Sequence, residues 1–136
     1  MTSKSLAAFL QPKQVQNKEV VISDRFLDEA GKPVPFEIRP ILTDEAQSLM
    51  KQNMKTKKDG SQDFDSSGYQ ADMIAAAVVF PDLKNAELQK AYGVLGEREL
   101  LMRMLLIGEY TQLRNAVFEL AGIYDDLNAK IEEAKN

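Results

Sequence analysis

The chain has 136 residues, of which 44% are hydrophobic and 28% charged, as expected for one globular domain with one core. It contains no His and no Cys, which excludes imidazole bases, thiol nucleophiles, disulfides and the commonest zinc ligands. Its net charge of -4 argues against general nucleic-acid binding, which needs a concentrated basic surface.

The N-terminal apolar stretch is too short to be a signal peptide or a membrane span. It covers Leu6 to Leu10 and is followed by Gln11, Pro12 and Lys13, whereas a spanning helix needs about 20 apolar residues. We therefore expect a cytoplasmic protein without an anchor, with neither nucleic acid nor a membrane as a partner.

Residues 1–16 are predicted to form an N-terminal arm that contains a short amphipathic helix. Leu6, Phe9 and Leu10 lie at i, i+3 and i+4 and share one helix face. A helix this short is marginal on its own. Two interpretations stay open: the arm folds onto its own domain, or it docks on a partner or a second subunit.

A β-hairpin is predicted over residues 19–42, because apolar residues recur there at every second position. These residues are Val20, Ile22, Val34, Phe36 and Ile38. Gly31 lies in the turn between the two strands and suits a positive φ. Because Pro35 and Pro40 cannot donate ladder hydrogen bonds, the second strand is predicted to lie at a sheet edge.

Residues 43–136 are predicted to form a cluster of about five helices. The predicted ranges are 44–57, 69–80, 85–92, 97–107 and 109–122, with a terminal helix capped by Asp125. Asn85 is a favourable N-cap, and Gly93 and Gly122 are placed to end helices in the left-handed conformation. Residues 69–80 are apolar nearly all round and should form the buried central helix.

The polar segment 56–68 is predicted to be a mobile surface loop, since it is rich in Asp, Ser and Gly. Asp63, Asp65 and Gly68 imitate the first half of a calcium loop. The twelfth position is Ile74, where a bidentate carboxylate is required, so no calcium site is predicted.

These elements give an α+β fold: a mainly helical single domain over residues 17–136 that begins with the hairpin. Its adjacent carboxylate pairs would point about 100° apart on a helix and could not share a proton. Gly93 and Gly96 lack the further glycine and the lysine of a phosphate-binding loop. No catalytic, cofactor-binding or metal-binding residue is predicted, and the chain is predicted not to be an enzyme.

The predicted partner-binding residues lie in the two helices between Glu97 and Gly122. The apolar residues there exceed what one core-facing stripe would use. Leu101, Met102 and Leu105 are the candidates for contact with a partner. The alternative, that such residues fill the core, stays open.

Several segments together resemble the XkdN-like tail assembly chaperones of phages and of PBSX-like defective prophages. These segments are VVISDRFLDEAGKPVPFEIRPI, FPDLKNAELQKAYGV, MLLIGEYTQLRNAVFELAG and the terminal EEAKN. The most distinctive positions are Pro81, Asp82, Leu83, Leu88, Tyr92 and Gly93, together with Gly108, Glu109 and Tyr110.

The resemblance implies an assembly factor, absent from the mature virion, that keeps the tape-measure protein soluble until tube subunits polymerise around it. Other tail proteins and a second copy of the chain are further candidate partners. Two other classes stay open: a structural tail component or general interaction adaptor without catalytic activity, and a small enzyme that uses Lys or carboxylates.

Overall fold

A computed structural model describes residues 4–123. Its helices are α1 (Ala7–Leu10), α2 (Thr43–Gln52), α3 (Ser66–Ala77), α4 (Ala86–Ala91), α5 (Glu97–Met104) and α6 (Ile107–Leu120). Its strands are β1 (Lys18–Val20), β2 (Phe36–Ile38), β3 (Met54–Thr56), β4 (Gln62–Phe64) and β5 (Val78–Phe80). The predicted α+β fold is confirmed. The predicted helix capped by Asp125 lies outside the described residues.

The predicted N-terminal hairpin is present. β1 pairs antiparallel with β2, and Val20 stands opposite Phe36. In the connection, Asp28 Oδ1 accepts hydrogen bonds from the backbone N–H groups of Ala30 and Lys32, each at 2.9 Å. Gly31 has φ +81°, a conformation that glycine adopts without steric cost. The turn chemistry expected from the sequence therefore shapes this connection.

The prediction that the second hairpin strand lies at a sheet edge is wrong. β2 is the central strand, with β1 on one side and β5 on the other. Pro35 and Pro40 flank the strand Phe36–Ile38 without belonging to it, so neither proline removes a ladder bond. The third strand comes from residues 78–80, predicted to end the central helix. Their Val-Val-Phe sequence suits a strand better than a helix.

Helix α3 lies at the centre of the core, as predicted, although it ends at Ala77. Its core side chains include Met73 and Ile74, which are buried. It contacts α2, α5 and α6, and the sheet adds Phe36 and Ile38 to the same cluster. No helix within residues 4–123 combines the length and apolar character that crossing a bilayer requires.

The polar segment 56–68 contains more regular structure than predicted. α2 ends at Gln52, and β3 pairs antiparallel with β4 as a second hairpin. The first turn of α3 also falls in this segment, where Asp65 Oδ1 accepts from the Gly68 backbone N–H at 2.9 Å. The mobility of segment 56–68 remains a prediction.

The predicted helix ends of α4 are confirmed. Asn85 Oδ1 accepts from the Leu88 backbone N–H at 2.9 Å. After the helix, Gly93 has φ +68°, and Val94 N–H donates to the Gln89 carbonyl at 3.1 Å. This is the glycine-terminated ending that satisfies the last carbonyls of a helix.

A network of polar side chains joins the C-terminal end of α2 to α3 and α5. Arg98 on α5 makes a two-pronged contact with Asp72 on α3, with N–O distances of 2.8 and 2.6 Å. Arg98 also donates to Asn53 Oδ1 at 3.0 Å, and Asn53 is only 4% exposed. Arg98 and Asn53 hold the pKa of Asp72 below its usual value, with burial opposing them. Asp72 therefore stays ionised at neutral pH, and its carboxylate has a structural role.

This network leaves no room for a side chain at Gly68. A Cβ placed there would lie 2.5 Å from both Asn53 Oδ1 and Asp65 Oδ2. We expect Gly68→Ala to cost about 1 kcal/mol or more of unfolding free energy, since the network must shift to admit the methyl group. Urea denaturation measures this loss. Gly108→Ala is the matched control, because a Cβ there meets nothing within 4 Å. A Gly68→Ala variant as stable as wild type would contradict the packing.

Candidate partner-binding surface

The structure separates the three residues predicted to contact a partner. Leu101 is 0% exposed and Leu105 is 8% exposed, and both belong to the hydrophobic core. Leu101 and Leu105 thus fill the core, the alternative that the sequence left open, and their side chains are not accessible to a partner in this fold. Met102 is 51% exposed and remains accessible. Of the three, Met102 alone can contribute to the apolar surplus that the sequence predicts for these helices.

That surplus lies where α5 meets α6. Leu106 and Ile107, which begin α6, are 60% and 88% exposed. Together with Met102 in the last turn of α5, they form an apolar surface that we call the corner surface. Three large apolar side chains exposed within six residues of chain are a candidate interaction site, since clustered exposed apolar residues mark such sites.

An ion pair fixes the backbone of this corner. Arg25, from the β1–β2 connection, donates to Glu109 Oε2 at 2.8 Å and to Glu109 Oε1 at 2.5 Å. Its guanidinium also donates to the Met104 carbonyl at 3.0 Å. Glu109 in turn accepts from the Leu106 backbone N–H at 2.7 Å. We call this arrangement the corner clamp, because it ties the end of α5 and the start of α6 to the hairpin.

The corner clamp keeps Glu109 charged. Its hydrogen bonds from Arg25, assisted by Ser23 and the Leu106 N–H, lower the pKa of Glu109 to about 2, against a smaller opposing effect of burial. The negative charge also lies in the first turn of α6, where its interaction with the helix dipole is favourable. The carboxylate thus has a structural role at neutral pH.

A second apolar feature adjoins the corner. It is a groove of about 380 Å³ between the β1–β2 connection, the end of β5 and α4, which we call the apolar groove. Its walls include Leu27, Pro35, Phe80, Leu88 and Tyr92. The buried Phe36 and Met104 also line it. Arg25 is its charged lining residue, and that charge is neutralised by Glu109. The groove thus suits apolar side chains.

The titratable groups in the described part of the chain do not favour acid–base catalysis. Where the pKa of a carboxyl group is shifted there, it is lowered: this holds for Glu45, Asp59, Asp72 and Glu109. A general acid or base needs a pKa near the working pH. Three of these carboxylates pair with Arg39, Arg98 and Arg25. Their arrangement favours structural roles.

Comparison with known proteins decides the family. Residues 6–135 match the family model described as the phage XkdN-like tail assembly chaperone protein. The chain belongs to this family of phage tail assembly chaperones. The match includes the corner surface, the corner clamp and the apolar groove.

Two relatives of this chaperone family come from Bacillus subtilis (strain 168). The phage-like element PBSX protein XkdN is 33% identical over 138 residues, which cover 96% of this chain and 93% of XkdN. The uncharacterized protein YqbN is 34% identical over 137 residues, covering 95% of this chain and 92% of YqbN. The resemblance inferred from the sequence is thereby confirmed.

A crystal structure of YqbN shares the fold of this family member. It superposes with a TM-score of 0.74 at 30% identity and covers 90% of this chain and 100% of that chain. The chaperone fold described above is therefore also found in a solved relative.

Sequence reasoning missed the corner clamp. Arg25 and Glu109 are separated by 84 positions, so no local pattern links them. Glu109 belongs to the Gly-Glu-Tyr sequence singled out by the family resemblance, but that resemblance assigned it no role. An acidic residue in the first turn of a helix was the available signal, and that signal is common.

Proposed function

We propose that this chain binds the tape-measure protein of a phage or prophage tail and keeps it soluble while the tail tube assembles. The proposed activity involves no catalysis, takes place in the host cytoplasm and leaves the chain outside the finished tail. Membership in the chaperone family supports the assembly role. The observation that supports client binding is the exposed corner surface.

A long tail-length protein with apolar helices must cover those helices until the tube encloses them, and apolar surface on a chaperone can do this. The corner surface offers Met102, Leu106 and Ile107, all more than half exposed. Methionine is flexible and polarizable, so Met102 can adapt to successive client segments.

The corner clamp adds rigidity beneath this adaptable surface. Because Arg25 binds both the Met104 carbonyl and Glu109, the end of α5 and the start of α6 are held at a fixed angle. A preorganised surface loses less conformational entropy on binding than a mobile one. The corner can therefore bind a client helix without first ordering itself.

The test is co-expression with the tape-measure protein encoded in the same phage or prophage. We expect Met102→Glu combined with Ile107→Glu to lower the soluble yield of the client by at least about tenfold. The melting temperature of the chaperone should stay within a few degrees, because both side chains are exposed.

Met50→Glu is the matched control. Met50 is 42% exposed and lies on α2, outside the corner surface. Like Met102→Glu alone, it introduces one negative charge at a methionine of similar exposure, and it should leave client solubility unchanged. A client that is equally soluble with and without wild-type chain would refute the function. Equal losses for Met50→Glu and the corner variant would refute the assignment of the face.

A further inference from the structure

We propose that the N-terminal arm of one chain docks, through Leu6, Phe9 and Leu10, into the apolar groove of a second copy. The arm consists of residues 4–16 of the described chain and includes α1. This self-association site is separate from the corner surface and does not depend on the identity of the client.

The arm has a formed apolar face that no other residue within 4–123 covers. Leu6, Phe9 and Leu10 are 73%, 82% and 71% exposed, and every residue from Lys4 to Glu19 is exposed. The helical turn is nevertheless closed, with Leu10 N–H donating to the Leu6 carbonyl at 3.1 Å. So short a helix is marginal in water without a surface to pack on.

The apolar groove matches this face in character and size. Two rim residues, Leu27 and Phe80, are 53% and 52% exposed, and the buried Phe36 and Met104 line the same groove. A volume of about 380 Å³ accepts large side chains such as those of Phe9 and Leu10. Within the described chain, both the groove and the apolar face of the arm are accessible to solvent.

The opposite charges of the arm and the domain also favour docking of the arm in the groove. Residues 1–18 carry three lysines and no acidic residue, whereas residues 19–136 carry 14 basic and 21 acidic residues. Among exposed charged residues that do not line the groove but lie next to a groove-lining residue in sequence, four are acidic, Asp24, Asp28, Asp82 and Glu87, and one is basic, Arg103. A basic arm is thus attracted to an acidic domain, and the attraction should weaken as salt is added.

The position of the arm favours a second copy as the source of the occupant. Asn17 anchors the base of the arm through a hydrogen bond of 2.9 Å to Glu37. Every residue from Lys4 to Glu19 is exposed, so the arm does not occupy the groove of its own chain. Two exchanged arms, with the groove surface they cover, would bury roughly the 1,200 Å² at the lower limit for a specific interface.

The first measurement is the mass of the full-length chain by sedimentation velocity over a wide range of concentration. We expect wild type to change from monomer to dimer. Leu6→Ser combined with Phe9→Ser, and separately Leu27→Lys, should each weaken dimerisation by at least about tenfold. Val15→Ser is the control, because Val15 is an exposed apolar residue of the arm outside its helix. A wild type that stays monomeric, or arm variants that still dimerise like wild type, would overturn the proposal.

The second measurement uses the absence of native cysteine. An isotope-labelled Phe9→Cys chain is mixed with an unlabelled Leu27→Cys chain under mild oxidation, so a disulfide between positions 9 and 27 must join two molecules. We expect a higher yield of this disulfide than of the 15–27 disulfide that forms when a Val15→Cys chain replaces the Phe9→Cys chain. Equal yields of the two, or a 9–27 disulfide that forms only within a chain carrying both cysteines, would refute docking on a second copy. Neither measurement involves the client, so failure here leaves the proposed function untouched.

Discussion

Replacing Leu101 by Ala is expected to lower the unfolding free energy by about 2–5 kcal/mol, the range for removing a fully buried leucine side chain. Leu101 is 0% exposed and lies in the cluster formed by α3, α5, α6 and the sheet. The cavity left behind cannot be filled by water, because its lining is apolar. Urea denaturation with an unchanged m-value measures the loss.

The neighbouring Met102→Ala is the matched control, since it removes a side chain of similar size from the same helix. Met102 is half exposed, so we expect a change of no more than about 0.5 kcal/mol. If Met102→Ala destabilised the domain as much as Leu101→Ala, the assignment of the α5 face that packs against the core would be wrong. The corner surface would then have to be assigned again.

Replacing Glu109 by Gln is expected to change how stability depends on pH. Wild type should lose stability as the pH falls from about 4.5 to about 2, because Glu109 has an ordinary pKa of 4.5 and a pKa of about 2 when folded. A carboxyl group with a lowered pKa stabilises the folded state fully above its unfolded pKa, and protonation removes that contribution. Glutamine does not titrate, so the variant should lose less stability across this interval.

The difference between the two proteins should therefore be largest above pH 4.5 and shrink toward pH 2. At neutral pH we expect the melting temperature of Glu109→Gln to be lower by roughly 5–10 °C. Glu119→Gln, an exposed position on the same helix, should follow the wild-type profile. Parallel profiles for wild type and Glu109→Gln would show that the corner clamp does not depend on the charge of Glu109.

The features that sequence reasoning predicted are those set by local chemistry. Asn85 caps α4 because its side chain reaches a backbone N–H three residues later, which is visible in a short window of sequence. Gly93 and Gly122 end helices with positive φ, because glycine has no Cβ to oppose it. The apolar sequence of α3 indicated that this helix is buried, without any knowledge of the elements that pack against it.

The features that sequence reasoning missed depend on residues that are distant in the chain. β5 is a strand because β2 offers it a free edge about 40 residues earlier in the chain, and no local pattern reveals that edge. β2 can be central because it is short enough to end before either flanking proline. Likewise, the burial of Leu101 and the exposure of Met102 follow from the rotation of α5 against α3, which periodicity alone left unresolved.

The edges of the three-stranded sheet limit how the proposed client could bind. Each edge strand, β1 or β5, is three residues long, so it offers few free backbone groups for an added strand. If the chain binds a client as proposed, recognition through the side chains of a client helix is therefore favoured over pairing with an extended client backbone. The same shortness protects the chaperone, since apolar surface beside a long open edge would invite fibril growth among its own copies.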